Sequence, residues 1–347
     1  MQYRPLGRTG LQVSVIGLGT MTWGRQNTEA EGHAQMDLAL DHGITFWDTA
    51  EMYAIPPIAE SHGTTEAIIG TWFKSRGKRD QVILASKAIG AANGGFPWIR
   101  GGTAKLDRAN LVAAVDASLK RLQTDVIDLY QLHWPDRVTN RFGGRSYQHK
   151  PEMDGTPLAE TLAVLGDLIQ AGKIRHIGLS NETPWGVMTC LKLSEMHGLP
   201  RIASVQNAYN LLNRAYETAL AEIGLREDVG LLAYAPLGAG TLSGKYLGGV
   251  VPPGTRRAID HRKSRYETPS AEEATKAYLD IARRHGLSPT QMAIAFVARQ
   301  PFVASTLIGA TNMADLKSNI EALDVTLSDA VLKEIDAVHA RLPDPCP

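Results

Sequence analysis

An aspartate and a tyrosine five positions apart, Asp48 and Tyr53, follow a short apolar run in "FWDTAEMYAIPP" (46–57). Two further titratable groups end later apolar runs in the same way. Lys87 closes "VILASK" (82–87), and His133 closes "VIDLYQLH" (126–133). Together these types suit one chemistry, proton donation to a carbonyl. A phenol with a reference pKa near ~10 is a poor acid at neutral pH. A neighbouring ammonium such as Lys87 would stabilise the phenolate and lower that value, and Asp48 could hold the ammonium in place. His133 could orient the carbonyl oxygen or share in the proton transfer. No H-E-x-x-H, no cysteine pair and no G-x-S-x-G elbow accompanies them. An acid without a metal or a nucleophile needs an external reductant.

Taken singly, each residue has a plainer reading: Lys87 as a solvated loop charge, His133 as a core-edge group, Asp48 as a turn cap. The elements that carry them change the balance. Eight short runs rich in Val, Ile and Leu read as covered parallel strands: 15–19, 44–48, 82–87, 126–133, 176–180, 203–207, 230–234 and 305–310. Stretches of helical period lie between them, over 29–43, 65–77, 107–123, 157–173, 185–197, 214–226, 270–285, 288–299 and 314–322. Asp107 is placed to cap the third, and Gly43, Gly77 and Gly172 to end others. Eight strand–helix units predict an α/β fold, a (β/α)8 TIM barrel, preceded by an N-terminal β-hairpin over "YRPL" and "LQVS". The segment "GLGTMTWG" (17–24) does not match the G-x-G-x-x-G of an open dinucleotide-binding sheet.

In a barrel the C-terminal strand ends share one mouth. Asp48, Lys87, His133, Ser180, Asn181, Gln206 and Tyr234 all fall there, and "GATN" (309–312) follows the last strand. Long loops over 88–106, 134–156 and 235–269 reach the same mouth, where such loops usually serve binding. The expected organisation is one barrel over 1–347.

Lys+Arg and Asp+Glu both number 36, so a broad nucleic-acid or anionic-membrane surface is not expected. Cys190 and Cys346 form no disulfide framework, and no signal peptide or membrane span is read. These features predict a cytoplasmic protein; its oligomeric state is open.

The chain resembles the aldo-keto reductase superfamily from end to end. "GLGTMTWG", "FWDTAEMY", "ASK", "LYQLHWPD", "IGLSN", "VQNAYN", "YAPLGAGTLSGKY" and "IGATNMADLKSNI" occur in family order. It looks closest to the Tas-like bacterial branch and is similar to the potassium-channel β-subunit branch through "LSGKY". The resemblance implies a catalytic tetrad of Asp48, Tyr53, Lys87 and His133, with Tyr53 as the acid. Hydride would come from C4 of a reduced nicotinamide. Ser180, Asn181 and Gln206 are similar to the residues that hold its carboxamide, and Tyr234 to the aromatic that stacks on its ring.

The same resemblance places the pyrophosphate and adenosine end over Leu237, Gly240, Leu242, Ser243 and Lys245, and over Gly309, Thr311, Asp315 and Asn319. Exposed amides of the glycine-rich loop and Lys245 would serve as phosphate partners. Family members usually carry Arg or Gln at the position of Asp315 and often Glu at that of Ser318. An aspartate there repels a 2′-phosphate, unless Lys245, Arg265 or another arginine of "TRRAIDHRKSR" (255–265) compensates. The resemblance implies NADP(H) as the preferred cofactor, with NAD(H) possible.

The substrate expected is a small carbonyl compound, walled by Trp23, Tyr53, Trp98, Trp134 and Tyr147. An aromatic wall with few fixed charges favours aldehydes or ketones of mixed polarity over acids. A second reading is a nicotinamide-binding redox sensor or regulatory subunit of the same fold with little turnover.

Overall fold

A computed structural model describes every residue except Asn93. Two short strands, β1 (Tyr3–Pro5) and β2 (Gln12–Ser14), pair antiparallel as the expected hairpin. Eight parallel strands follow: β3 (Ile16–Gly19), β4 (Phe46–Asp48), β5 (Ile83–Ala88), β6 (Ile127–Leu132), β7 (Ile174–Ser180), β8 (Ile202–Ala208), β9 (Gly230–Tyr234) and β10 (Val303–Ile308). They close a barrel in sequence order, with β10 pairing β3. The predicted strands are met to within a few residues at each end.

The helices form for local reasons the sequence carries. Asp107 accepts a hydrogen bond from Asn110 N at 2.9 Å and caps Arg108–Leu122, which buries Leu111, Val115 and Leu122. Thr28 and Glu31 form a reciprocal capping box at the start of Glu29–Asp41. Gly77 takes a left-handed φ of 63° and ends Thr64–Arg76. The stretch predicted as one helix over 214–226 is split instead. A 3-10 turn, Ala215–Thr218, precedes Leu220–Arg226, and Ala219 between them has a non-helical φ of −145°. A short helix, Arg256–Ile259, and a terminal one, Asp329–Arg341, were not expected.

Strand periodicity decides what faces the barrel axis. Trp47 points outward and packs against Trp72 at 4.8 Å between ring centroids, while its neighbours Phe46 and Asp48 lie on the inner side. The hairpin seals one end. Leu6 and Val13 are fully buried against Phe46, Ala85, Leu129, Leu232 and Leu307. Arg4 ties the hairpin to the loop before β10 through Ala298 O at 2.8 Å and Gln300 O at 2.9 Å. A plugged base leaves the C-terminal mouth as the accessible end.

Candidate active site

Asp48 ends β4, Lys87 lies near the end of β5, and His133 directly follows β6. The period of two sends all three inward. Lys87 is fully buried, with its Nζ 2.6 Å from Asp48 Oδ2 and 2.8 Å from Thr49 O. Asp48 Oδ1 accepts from Gln206 Nε2 at 2.7 Å and from Gln131 Nε2 at 3.0 Å. Gln206 Nε2 also lies 3.1 Å from Gln131 Oε1. Both carboxylate oxygens are thus satisfied, as a buried charge requires. Gln131 was missed in the sequence, although it sits two residues before His133 on the same inward face.

The phenol of Tyr53 joins this pair from above. Lys87 Nζ is 5.0 Å from the Tyr53 ring centroid, and the Tyr53 and His133 rings meet edge to face at 5.8 Å. Backbone bonds fix the loop carrying Tyr53: its N–H donates to Ala50 O at 3.0 Å, and its carbonyl accepts from Gly63 N at 2.8 Å. Next to it, Ile55 N donates to Met21 O at 2.9 Å. Met52, Ile55, Ile89, Ile99 and Trp134 pack into an apolar cluster beneath the loop.

Two buried carboxylates organise the long loop after β5. Glu51 accepts from Ile89 N at 2.7 Å and grips Arg100 through both oxygens at 2.6 and 2.9 Å. Asp136 accepts from Leu106 N at 2.6 Å and Ala91 N at 2.5 Å. Gly90 must be glycine here, because a Cβ would stand 2.3 Å from Trp134 O.

Protonation follows from burial and charge. Burial pushes the Tyr53 phenol above its ordinary pKa, and the Lys87 charge pulls it down without reversing the shift. The expected net lowering is therefore not present in the protein alone. For Lys87 burial works against the ammonium, but Asp48 and Tyr53 outweigh it and hold the pKa above the usual value. Burial, with the Lys87 charge, keeps His133 well below the ordinary histidine range, so its imidazole is neutral at pH 7. A neutral imidazole can donate one N–H to an oxygen. His133 Nδ1 is buried without a partner among the described residues.

Beside the tetrad, Tyr234 Oη donates to Asn181 Oδ1 at 2.6 Å, and Asn181 Nδ2 donates to His133 O at 2.8 Å and Ser180 Oγ at 3.2 Å. Ser180 Oγ in turn donates to Gln206 O at 2.9 Å. These groups form one connected patch around the half-buried Tyr234 ring. A planar ring bearing a carboxamide fits it: Asn181 Oδ1 keeps a second lone pair, and Gln206 Oε1 accepts no hydrogen bond among the described residues.

The glycine-rich loop differs from expectation. Gly240 N, Leu242 N and Ser243 N donate to loop carbonyls at 3.0, 3.1 and 3.3 Å, so these amides are spent within the loop. The Leu242 side chain belongs to the core, and Leu237 packs against that core. Lys245 is exposed, with Nζ 5.4 Å from the Tyr246 ring centroid. Gly309, Thr311 and Asp315 are exposed beside the N-terminus of Met313–Glu321, and buried Asn319 reaches Gly309 O at 3.5 Å. Asp315 exchanges hydrogen bonds with its cap, Asn312, at 2.8 and 2.9 Å. Its carboxylate already occupies the positive end of that helix.

The proposed aromatic wall divides. Trp134 stands 5.1 Å from His133 between centroids, with Nε1 fixed on Ala91 O at 3.0 Å. Trp98 is half-buried at the edge of the cluster below Tyr53. Trp23 is not a wall: it is fully buried, bonds Gln35 Oε1 at 3.0 Å and packs against Gly32 of the first helix. Tyr147 is 60% exposed and pairs with His149 at 2.9 Å. The mouth is not poor in charge either. Arg141 stacks over Trp134 at 5.9 Å, Arg256 reaches Met21 Sδ at 4.0 Å, and Arg265 lies 3.3 Å from Tyr234 Oη.

The closed barrel agrees with comparison to known proteins. The chain matches the aldo/keto reductase family over residues 15–340. It belongs to that family. Among its relatives, Protein tas of Escherichia coli is 52% identical over 347 residues, covering 100% of both chains. An aldo-keto reductase of Babesia bovis is 37% identical over 280 residues, 76% of this chain and 98% of that one. The L-glyceraldehyde 3-phosphate reductase of Escherichia coli is 31% identical over 348 residues, covering 97% of this chain and 92% of that protein. As an aldo/keto reductase, the chain is an oxidoreductase of a family that generally uses nicotinamide cofactors. No helix among the described residues is long and apolar enough to cross a membrane.

Proposed function

We propose that the protein reduces an aldehyde or ketone to the alcohol, reversibly, with NADP(H) as the preferred cofactor and Tyr53 as proton donor. The observation that carries this reading is the buried Lys87 ammonium, held by Asp48 at 2.6 Å and lying 5.0 Å from the Tyr53 ring centroid. Tyr234, Ser180, Asn181 and Gln206 would hold the nicotinamide ring and its carboxamide, and the bound cofactor would supply the hydride.

The chain's own residues do the rest. Neutral His133 donates an N–H to the carbonyl oxygen and orients it, while the unshared proton of Tyr53 moves to that oxygen as negative charge develops there. The phenolate left behind faces the Lys87 ammonium, which Asp48, itself fixed by Gln131 and Gln206, holds in a low-dielectric pocket. General acids of this kind contribute ~10²–10⁴-fold. In the reverse direction the phenolate accepts the alcohol proton.

Support for a phosphorylated cofactor comes from Lys245, exposed and outside any ion pair among the described residues. Asp315 acts against it. A screen of aldehydes, ketones and keto-sugars with both NADPH and NADH tests the reading. Consumption of NADPH in preference to NADH is expected. Tight cofactor binding with no turnover across the panel would instead favour a redox-sensing protein.

A further inference from the structure

We propose that a cationic recess beside the tetrad, built from Arg145, Lys263 and Arg265, is a subsite for the anionic group of the carbonyl substrate, a phosphate or a carboxylate. This rests on the carbonyl-reduction reading above and names the class of compound that the site takes. The recess has a volume of about 240 Å³ and lies between the loop after β6, the strap after β9 and the last residues of the chain. Phe142, Cys346 and Pro347 complete its lining.

Charge pairing in this region is partial, and among the described residues the neighbouring Arg141 and Arg256 hold no carboxylate. On the same strap, Arg257 is matched by Glu267 at 3.5 Å and Arg262 by Asp260 at 2.7 Å. Around the barrel, arginines such as Arg76, Arg79, Arg100 and Arg121 each hold a carboxylate. The three cations of the recess hold none among the described residues. Arg145 donates only to Pro345 O at 2.6 Å, and Arg265 lies over the Phe142 ring at 5.7 Å with Nη2 on the Tyr234 hydroxyl. Among the described residues, no Asp or Glu lines the recess. Burial pushes the Cys346 thiol up to about 11, so it brings no charge. The whole chain is electrically neutral, so a local excess of this kind is a feature of the place. Arg265 is half-buried, whereas Arg145 and Lys263 are exposed at the rim; a half-buried guanidinium without a counter-charge is costly, and an anionic ligand would supply one.

Two paths of contacts link the recess to the tetrad. Arg265 contacts Tyr234, whose hydroxyl leads through Asn181 to the His133 backbone. On its other side Phe142 meets Trp134 at 6.1 Å, and Trp134 meets the His133 ring at 5.1 Å. A substrate bound with its carbonyl at Tyr53 and His133 would direct its anion toward the three cations. Forked guanidinium donors match both phosphate and carboxylate oxygens.

The test compares matched pairs in cofactor-consumption kinetics. 4-Carboxybenzaldehyde is set against 4-nitrobenzaldehyde, and glyceraldehyde 3-phosphate against glyceraldehyde. At least one anionic member is expected to show a kcat/KM about tenfold above its neutral partner, the scale of two part-exposed ion pairs. The pair that does so identifies the anion. In Arg145→Met/Lys263→Met that advantage disappears through KM, while the neutral aldehydes keep their kcat/KM. Ratios near one in the native protein, or an advantage that survives the double substitution, overturn the proposal. A double variant with weakened NADPH binding and an unchanged anion preference assigns the recess to the cofactor and overturns it too. Absence of turnover with every aldehyde counts against carbonyl reduction, and the subsite is then read by calorimetry. Inorganic phosphate or benzoate should bind the NADPH-saturated native protein and not the double variant; no binding to either overturns it.

Discussion

Lys87 and Asp48 form a fully enclosed ion pair whose carboxylate is shared with two glutamines. Nζ lies 2.6 Å from Oδ2, and Gln206 and Gln131 satisfy Oδ1 at 2.7 and 3.0 Å. Such a pair is weak evidence of stability, since desolvation offsets much of the attraction. Its consequence lies in what surrounds it: it keeps a positive charge close to the Tyr53 phenol inside a dry pocket.

Breaking one side of the pair should therefore be worse than removing both. Asp48→Asn leaves the ammonium buried and unpaired, at a cost of roughly 3–5 kcal/mol. Asp48→Asn/Lys87→Met should recover most of that stability while remaining without carbonyl reduction. Urea unfolding of the single and double variants checks the order.

Gln131 should behave as a positioning residue for this pair. Gln131→Met removes one donor from the buried carboxylate, a loss of roughly 1–3 kcal/mol. It should lower kcat by about tenfold through a looser Lys87, with the KM for cofactor unchanged. Gln131→Glu, which adds a second carboxylate beside Asp48, should be more damaging than Gln131→Met. Steady-state kinetics in both variants checks this.

Stability should fall on the acid side of neutrality. Burial depresses the folded-state pKa of His133, and likewise of His62 and His176. Above the unfolded value of ~6.5 both states are neutral and these groups contribute no pH dependence. As pH falls below it, the unfolded chain takes up protons that the folded one refuses, so stability drops until the depressed folded pKa values are passed. His133→Gln should flatten part of that slope between pH 6.5 and 5. Melting temperature followed across that range is the measurement.

Trp23 and Trp134 should separate cleanly. Trp23→Phe disturbs a buried tryptophan bonded to Gln35 and should cost roughly 1–3 kcal/mol of stability without altering the KM for an aldehyde. Trp134→Ala should raise that KM, because its ring stands beside His133. Parallel denaturation and kinetics on both variants decide.

Much of this architecture was legible in the chain because parallel strands and inward-facing residues follow a local rule. Asp48, Lys87 and His133 stand at strand ends, and a period of two decides their direction. Gln131 could have been found by the same rule, two residues before His133. Trp23 could not, because its burial depends on the close passage of the helix at Gly32, 3.2 Å from the ring for an added Cβ. The charge of the mouth was legible only in part, through Arg265 and the arginines of 255–265, for a related reason. Arg141, Arg145, Arg256 and Arg265 ride on long loops whose course is set by distant contacts, such as Gln26 Nε2 on Gly254 O at 3.1 Å and Arg145 on Pro345. The spent amides at Gly240 to Ser243 depend on a turn geometry that composition alone does not show.

The central claim is that Tyr53 delivers the proton while Lys87 stabilises what remains. Tyr53→Phe removes one oxygen and keeps the ring, so NADPH affinity, read by fluorescence titration, should stay within about twofold of the native protein. Its kcat for carbonyl reduction should fall by at least ~10²-fold, the scale of general acid catalysis. Tyr53→Phe with native-like turnover of the same carbonyl would contradict the account.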